Sequence, residues 1–458
     1  MEIRLSDVLA ALSHALDITG GQPRGHAERT CLIAMRLADH LALDEDTRSS
    51  LFYAALLKDA GCSSSAAKVA ALYGADDTVV KTARRRTDFA NTPEALLHLA
   101  RTVAPGGSPL AKARHLRAIL ALGREGSREI VDLRCERGAD VARAVGLDEA
   151  AATAILHVDE RWDGKGAPHG LQADAISLVG RLLALAQCAA VFWSDGGAAG
   201  ACDVARRRRG TWFDPALVDA LSTIEADTAF WLTLHEPRVA GVEPADHVLV
   251  ADEARVDRVA EAFSRVVDAK SPYTARHSRG VADIAAGLAL RLGLGEDQAR
   301  RLHRAGLLHD IGKLGVSSGI LDKPGRLDAG EWTAMRRHPE VSLQILRRIP
   351  AFAELAQVAA AHHERLDGSG YFRGLDAGRL DLPARILAVA DVAEALSSDR
   401  PYRAALTPGE VLSIMRRDAG ITLDAAAFEA LESLLPTWTP PATAPSSAPG
   451  PRPARAGA

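Results

Sequence analysis

The residues best suited to chemistry in this chain are five histidines and two aspartates in its second half. Imidazole and carboxylate groups together suit iron, manganese, zinc or nickel, whereas calcium and magnesium prefer oxygen ligands alone. Seven such groups exceed the ligand number of a tetrahedral zinc site, and they suffice for two metal ions that share a bridging carboxylate. The seven residues are His277, His309, Asp310, His338, His362, His363 and Asp391.

The pair His309–Asp310 lies within an apolar helical pattern that runs from Leu302 to Ile311. This pattern predicts a helix, on which Asp310 could bridge two ions while His309 binds one of them. Lys313 comes four positions after His309 and is expected on the same helix face. A carboxylate paired with an N–H group on an ordinary core helix is the alternative explanation of this short motif.

The segment HHERLDGSGY, residues 362–371, opens with two histidines and ends in a glycine-rich loop. Gly368 and Gly370 permit close backbone approach and a positive φ, as a loop beside a ligand needs. A tight helix–helix turn with Tyr371 as a packed anchor explains the same residues. His363 could bind metal or orient its neighbour, and His303, outside these motifs, is expected to be structural.

Together these motifs resemble the HD-GYP branch of the HD-domain phosphohydrolases over residues 255 to 435. The resemblance implies two divalent metal ions, with iron or manganese favoured and zinc or nickel as alternatives. It also implies how the seven residues divide between the ions. The first group is His277, His309, Asp310 and Asp391, and the second group is His338, His362 and His363.

The reaction that the resemblance implies is hydrolysis of a cyclic dinucleotide to a linear dinucleotide, with cyclic di-GMP as the favoured substrate. Two metal ions can lower the pKa of water, polarise the phosphoryl oxygens and stabilise the leaving alkoxide. Asp310 and Lys313 are the predicted catalytic residues, and Lys313 would hold a nonbridging phosphate oxygen. The predicted substrate contacts are Lys313, Gly368, Gly370 and Tyr371. The alternatives are a broader nucleotide phosphohydrolase and a receptor that binds cyclic dinucleotide without hydrolysing it.

Two positions depart from the family pattern. Phe372 stands where the family signature Gly-Tyr-Pro has proline, which loosens the loop and leaves the choice between guanine and adenine open. Tyr273 stands four residues before His277, where members with three metal ions carry a glutamate. Two metal ions are therefore expected in this chain.

The first half of the chain resembles a degenerate copy of the second half. A spacing of 33 positions separates His26 from Asp59, and the same spacing separates His277 from Asp310. Such internal repeats fix the architecture of a protein, and this one predicts two similar helical domains. The first copy also carries about 47 extra residues, placed between Cys62 and Arg134, with the turn-rich region 74–107 as part of that insertion.

The first copy has lost most of the predicted metal ligands. Only His26 and Asp59 remain, and one histidine with one carboxylate cannot hold two ions. The first half is therefore predicted to be non-catalytic and to serve folding, dimerisation or regulation. The replacements at the aligned positions are Lys58, Cys62, Arg134, Val158, Asp159 and Gln187.

Composition predicts an all-α protein without a substantial sheet, and the internal repeat together with the family resemblance implies tandem HD-type helical domains. Apolar residues make up 47% and charged residues 25% of the 458 residues, as in globular proteins, and aromatic residues only 4%. Alanine, leucine and arginine, which are abundant, favour helices, and no convincing strand alternation occurs. The predicted divisions are a degenerate domain 1–235, a linker 236–252, a catalytic domain 253–435 and a disordered Pro/Ala tail 436–458.

Charge and hydropathy narrow the expected partners and location. A net charge of −4 gives no reason to expect binding to a nucleic-acid polymer. No signal peptide is evident, and no run reaches the roughly 18 apolar residues of a membrane helix. We therefore expect a cytoplasmic protein, without membrane association, that acts on a cyclic dinucleotide and could form a homodimer. The five cysteines show no CxxC pair and are expected to be reduced.

Overall fold

The computed structural model describes residues 4–89, 91–244, 249–271, 276–323, 325–398 and 404–439. Within these ranges the chain is built of helices, and β-structure is limited to isolated bridges. The prediction of an all-α fold is confirmed. Tyr273 and residues 440–458 of the predicted tail lie outside the described residues.

The first half contains eleven α-helices, of which α7 changes direction at Gly123 and α9 at Gly196 and Gly197. They are α1 (Leu5–Thr19), α2 (His26–His40), α3 (Glu45–Leu57), α4 (Ala66–Tyr73), α5 (Asp77–Arg86), α6 (Thr92–Thr102), α7 (Pro109–Ala144), α8 (Glu149–Leu156), α9 (Leu178–Arg207), α10 (Pro215–Thr223) and α11 (Thr228–Thr233).

The second half contains ten more α-helices among the described residues. They are α12 (Glu253–Asp268), α13 (His277–Arg291), α14 (Gly295–Leu308), α15 (Ser318–Leu321), α16 (Ala329–Arg336), α17 (His338–Leu346), α18 (Ala353–Ala360), α19 (Leu382–Ser397), α20 (Pro408–Met415) and α21 (Ala425–Leu434). Short 3-10 turns cover Ala173–Ala175, Val239–Gly241, Ile311–Gly315 and Pro350–Phe352.

The helices form where apolar residues recur at helical spacing and a polar residue caps the first turn. In α12, Val256, Val259 and Phe263 are buried on one face, which is the pattern of an amphipathic helix. Asp252 begins this helix by accepting a hydrogen bond from the Arg255 backbone N–H. This helix precedes His277, the first candidate ligand.

The two halves share one hydrophobic core, which runs from α1 to α18. Helix α1 packs on the 3-10 turn Ile311–Gly315 and on α17, and α12 lies against both α7 and α14. The described part of the predicted linker, residues 236–244 and 249–252, packs on the first half, because the backbone N–H of Leu5 donates to the carbonyl of Leu249 at 2.8 Å. Glu243 also accepts hydrogen bonds from two hydroxyl groups of the first half, each at 2.8 Å. The domain boundaries themselves stay a prediction.

A shared close contact supports the internal repeat. A Cβ atom on Gly312 would lie 2.0 Å from the carbonyl oxygen of His338, so the chain passes directly over the first turn of α17. A Cβ atom on Gly61 would lie 1.8 Å from the carbonyl oxygen of Arg134, which is the aligned residue. Glycine is needed at both places because each backbone approaches the neighbouring helix without room for a side chain.

The loops that follow α8 and α18 are also built alike. The buried carboxylate of Glu160 accepts hydrogen bonds from the backbone N–H groups of residues 169–171, at 2.6 to 3.1 Å. Glu364 accepts from the backbone N–H groups of Arg373 and Leu375, at 2.8 and 2.9 Å. The same acidic residue therefore holds the same loop in each half.

The extra residues of the first half are helical. Helices α4, α5 and α6 and the first part of α7 lie between Cys62 and Arg134, where the insertion is predicted. The described residues of region 74–107, which was predicted to hold part of that insertion, are therefore mostly helical. Its helix α5 packs against α9, which brings an arginine-rich segment into the first half.

One described helix, α9, is long and apolar enough to cross a membrane. More than half of its most apolar window, 56%, is buried inside the protein. Helix α9 packs against α2, α3 and α8, and its Arg181 forms an ion pair with Asp214 at 2.8 Å. These contacts are those of a core helix of the first half.

Replacing Gly61 with alanine tests the close contact with α7. The added Cβ would clash with a backbone oxygen 1.8 Å away, so the free energy of unfolding should fall by about 1–3 kcal/mol. Gly241→Ala is the control, because its Cβ would meet nothing within 4 Å. Urea unfolding followed by circular dichroism measures both. Equal stability of the two variants would contradict the described packing.

Candidate metal centre

Five elements bring the seven predicted residues together. His277 opens α13, His338 opens α17, and Asp391 lies in the middle of α19. The pair His309–Asp310 directly follows α14, and the pair 362–363 follows α18 after one residue. Each candidate ligand therefore lies at the end or on the inner face of a helix, which fixes its direction.

The prediction that one helix continues from Leu302 through Lys313 is wrong. Helix α14 ends at Leu308, and Lys313 lies in the 3-10 turn that follows. Tertiary hydrogen bonds replace the helical ones, because the Ser342 hydroxyl donates to the His309 carbonyl at 2.7 Å and accepts from the Gly312 N–H at 2.9 Å. Lys313 still reaches the site, with its Nζ 2.5 Å from Oδ2 of Asp310.

Three of the histidines are oriented by the same hydrogen bond. In each, ring atom Nδ1 lies 2.6 to 2.7 Å from the backbone carbonyl oxygen three residues earlier. A carbonyl only accepts hydrogen bonds, so Nδ1 carries the proton and Nε2 keeps its lone pair. Such bonds are typical of metal-ligating histidines. The pairs are His309 with Gly306, His338 with Met335, and His362 with Ala359.

His277 is oriented by a residue that the sequence analysis missed. Its Nδ1 forms a short hydrogen bond with the carboxylate of Glu394, which is buried. Glu394 follows Asp391 by three positions on α19, so both face the same side of the helix. Burial lowers the pKa of His277, but Glu394 and Asp310 outweigh it and raise this pKa well above its usual value. The i, i+3 spacing of two acids is the signal that could have identified Glu394.

Asp310 lies between two pairs of imidazole groups. Its Oδ2 is 3.5 Å from Nε2 of His277 and 3.2 Å from Nε2 of His309. Its Oδ1 is 3.3 Å from Nε2 of His338 and 3.6 Å from Nε2 of His362. Burial raises the pKa of Asp310, but the nearby cationic groups outweigh it and hold this pKa well below its usual value. The carboxylate is therefore ionised, with one oxygen toward each pair.

Asp391 and His363 complete the cluster. Asp391 Oδ1 is 3.3 Å from Nε2 of His277, and its Oδ2 is 3.7 Å from Nδ1 of His363. Burial lowers the pKa of His363 to about 3, and it also lowers the pKa values of His338 and His362. These imidazoles are therefore neutral at pH 7, as metal ligands must be.

Unpaired buried atoms indicate that this cluster is built to hold metal. Nε2 of His309 and Oδ1 of Asp310 are buried without a hydrogen-bond partner, which is costly unless a cation interacts with them. Three groups of donor atoms each lie within 4.8 Å of one another. They are His277, His309 and Asp391; His309, Asp310 and His362; and His338, His362 and His363. The groups fit metal ions on the two sides of Asp310.

Comparison with known proteins agrees with this geometry. The family model described as HD domain matches residues 122–217 and 261–427, which is more than half of the chain. The chain belongs to the HD-domain family. The match covers parts of both halves, and its second segment contains all seven candidate ligands.

Curated members of the HD-domain family are similar to nearly the whole chain or to a part of it. A 3'3'-cGAMP-specific phosphodiesterase 3 from Vibrio cholerae is 40% identical over 94% of each chain. The cyclic di-GMP phosphodiesterase response regulator RpfG from Xanthomonas campestris is 35% identical over 39% of this chain and 48% of its own. The predicted membership in the HD-GYP branch and the enzyme class of HD-type phosphodiesterases are confirmed.

A solved HD-domain structure has the same fold. The crystal structure of the cyclic GMP-AMP-specific phosphodiesterase V-cGAP3 from V. cholerae matches with a TM-score of 0.64 and 34% identity. The match covers 96% of this chain and 99% of that chain. The whole two-half architecture, and not only the second half, is therefore shared.

The loop after α18 combines structural and site-facing residues. A Cβ atom on Gly370 would lie 2.4 Å from Cα of Glu364, so this glycine serves tight packing. Gly368 has a φ of +75°, and a Cβ atom on it would lie 3.8 Å from the nearest atom, the carbonyl oxygen of Gly374. The Tyr371 ring lies 4.7 Å from that of His363, with the Arg336 guanidinium 5.2 Å from the tyrosine ring. Tyr371 thus borders the metal centre.

His303, the histidine of the second half that belongs to none of the motifs, lies outside the cluster. His303 Nε2 is 3.3 Å from Asp283 Oδ1, on partly exposed surfaces of α13 and α14. In the first half, His157 accepts a hydrogen bond from the Ser177 backbone N–H at 3.2 Å. Both histidines thus have structural partners, as expected.

Replacing Glu394 with glutamine tests its support of His277. The change keeps the size of the side chain and removes the charge, so metal affinity should fall by about 10–100-fold. Chelator competition followed by elemental analysis measures the affinity. Glu432→Gln is the matched control, because Glu432 pairs with Arg416 on the surface at 2.5 Å. Unchanged affinity in Glu394→Gln would contradict a role for Glu394 in orienting a ligand.

Proposed function

We propose that this chain hydrolyses a cyclic dinucleotide to a linear dinucleotide at the metal centre of its second half. The observation that carries the proposal is the position of Asp310, whose two oxygens face separate pairs of histidines within 3.6 Å. This arrangement suits two divalent ions, with iron or manganese favoured by the mixed ligand set. Such ions would lower the pKa of a water molecule and polarise the phosphodiester.

The protein groups around the cluster have separate tasks in this reaction. Lys313 has a side chain that is 19% exposed, so its ammonium can contact a nonbridging phosphate oxygen while it stays near Asp310. The four ligands at Asp310 are almost fully buried, which excludes bulk water from their inner side. In the reaction, the oxygen of water joins phosphorus, one P–O bond to a sugar breaks, and the sugar oxygen takes up a proton.

Tyr371 and Arg336 form one border of the substrate position. The ring of Tyr371 lies beside that of His363, and the guanidinium of Arg336 places a positive charge over the tyrosine ring. An aromatic ring and a guanidinium group together suit a base and a phosphate. We therefore propose that these two residues contact the nucleotide, with Gly368 in the adjoining loop.

We further propose which cyclic dinucleotide is the preferred substrate. Similarity over 94% of the chain is with a protein named as 3'3'-cGAMP-specific, whereas the regulator named for cyclic di-GMP matches 39% of it. This difference supports 3'3'-cGAMP as the preferred substrate, although the sequence motifs had favoured cyclic di-GMP. Both molecules carry the same pair of phosphodiesters, so the metal centre itself serves either.

We also propose that the first half is non-catalytic. Asp59, aligned with Asp310, forms ion pairs with Lys58 and Arg85, and these cations lie where metal ions would bind. Among the described residues, the groups of three donors that could hold a metal ion all lie in the second half. Homodimer formation and a cytoplasmic location stay predictions.

Hydrolysis by single-site variants tests the proposed function. The wild-type protein with Mn²⁺ or Fe²⁺ should release linear dinucleotide from 3'3'-cGAMP faster than from cyclic di-GMP. Asp310→Ala should lower the rate by more than about 100-fold, because it removes the ligand shared between the ions. Asp283→Ala, which alters only the pair with His303, is the control and should keep wild-type activity.

The assay separates the alternatives. Activity that persists in Asp310→Ala would remove the proposed site. Tight binding of a cyclic dinucleotide by the metal-loaded wild type without any turnover would indicate a receptor instead. Faster hydrolysis of unrelated nucleotides would indicate the broader phosphohydrolase, and a preference for cyclic di-GMP would reverse the proposed substrate order.

A further inference from the structure

The first half contains a cavity at the position that the internal repeat makes equivalent to the metal centre. Its volume is about 270 Å³. Cys62, Arg134, Asp159 and Gln187 line it, and these residues align with four predicted site residues of the second half. Ligand pockets measure about 300–1,000 Å³, so the cavity lies just below the small end of that range. The first half therefore lacks the metal ligands of the second half but has a cavity at the equivalent position.

Beside this cavity, lysine and arginine side chains occupy the positions that correspond to the candidate metal sites of the second half. Lys58 and Arg85 both form ion pairs with Asp59, and Arg85 comes from the inserted helix α5. Nη1 of Arg85 also lies 3.4 Å from Nε2 of His26, the other surviving ligand position. Arg134 forms an ion pair with Asp159 in the same way. The site thus excludes metal cations and keeps a positive charge that does not depend on metal.

The positive charge of the cavity exceeds its negative charge. Seven cationic and two acidic side chains line the walls. The carboxylate of Glu160, one of the two acids, already accepts hydrogen bonds from the backbone N–H groups of residues 169–171. Arg84 and Arg208 form no ion pair with any described carboxylate, and they lie instead over the rings of Phe89 and Trp212 at 5.8 and 4.2 Å. Part of the cationic charge is therefore available to an anion.

The remaining walls are apolar and aromatic. Ile130, Val131 and Phe213 line the cavity together with Phe89 and Trp212. Apolar walls with a few charged groups are typical of small-molecule sites. Guanidinium groups bind phosphate, and both aromatic rings and guanidinium planes stack on bases. The combination matches a ligand that carries a phosphate and a planar base.

We propose that the cavity of the first half binds a nucleotide of about mononucleotide size, with Arg84 as a phosphate contact. This site is distinct from the metal centre, which lies in the second half, and needs no metal ion. Lys165, whose side chain is 72% exposed and which also lines the cavity, supplies a second positive charge at its mouth. The nucleotide could be a free mononucleotide or one end of the linear reaction product, and both offer the same terminal phosphate and base.

Calorimetry with a protein that lacks the metal centre tests this proposal. The host is the full chain carrying Asp310→Ala and Arg336→Ala and stripped with chelator, so that both the metal centre and the proposed nucleotide contact of the second half are removed. Titration with GMP and with AMP should each show one site per chain. Linear pGpA is titrated as well, to distinguish the free mononucleotide from the linear product. Adding Arg84→Ala should weaken binding at least tenfold, and adding Lys165→Ala should weaken it further.

Arg86→Ala in the same host is the matched control. Arg86 lies two residues after Arg84 on α5, does not line the cavity, and pairs with Asp195 at 3.0 Å. Its replacement should leave nucleotide affinity unchanged, and circular dichroism should show the same fold for all variants. His362→Ala replaces Asp310→Ala in the host if the latter does not fold. Absence of binding by GMP, AMP and pGpA, or binding that survives the combined loss of Arg84 and Lys165, would overturn the proposal whether or not the wild type hydrolyses cyclic dinucleotides.

Discussion

The buried carboxylate of Asp310 is the group on which the second half depends. Its two oxygens lie within 3.6 Å of four imidazole Nε2 atoms, and one of these oxygens has no hydrogen-bond partner. A buried anion in such a place is stable only beside cations, which Lys313 and the metal ions that the surrounding histidines would hold can supply. The 3-10 turn after α14, the Ser342 hydroxyl and the close contact at Gly312 hold this carboxylate in position.

The first half balances the charge of its own buried aspartate in a different way. Asp59 is as deeply buried, and its charge is balanced by Lys58 and by Arg85 from the inserted helix. The two halves are also joined physically, because Asp77 pairs with Lys81 of the cavity wall at 2.8 Å and accepts a hydrogen bond from the Ser318 N–H at 3.3 Å. Ser318 begins α15, directly after the turn that carries Lys313, so a ligand in the cavity lies close to the segment that supports the metal centre.

Residue types and spacing were enough to predict the helical fold and the clustering of the seven candidate ligands. Local patterns failed where tertiary contacts decide. The helix predicted through Lys313 ends at Leu308 because Ser342, distant in sequence, takes over its hydrogen bonds. Glu394 was missed because its i, i+3 spacing from Asp391 indicates a shared helix face but does not reveal that His277 packs against it. Region 74–107 was predicted only as part of an insertion, because its helices are short and charged and their packing on the first half is not visible in the sequence.

The most direct test is anomalous diffraction from crystals of protein purified without air and loaded with iron or manganese. The account predicts two peaks, one on each side of Asp310, and no peak beside Asp59, where Lys58 and Arg85 already balance the charge. A single peak away from Asp310, or a metal ion bound at Asp59, would contradict it.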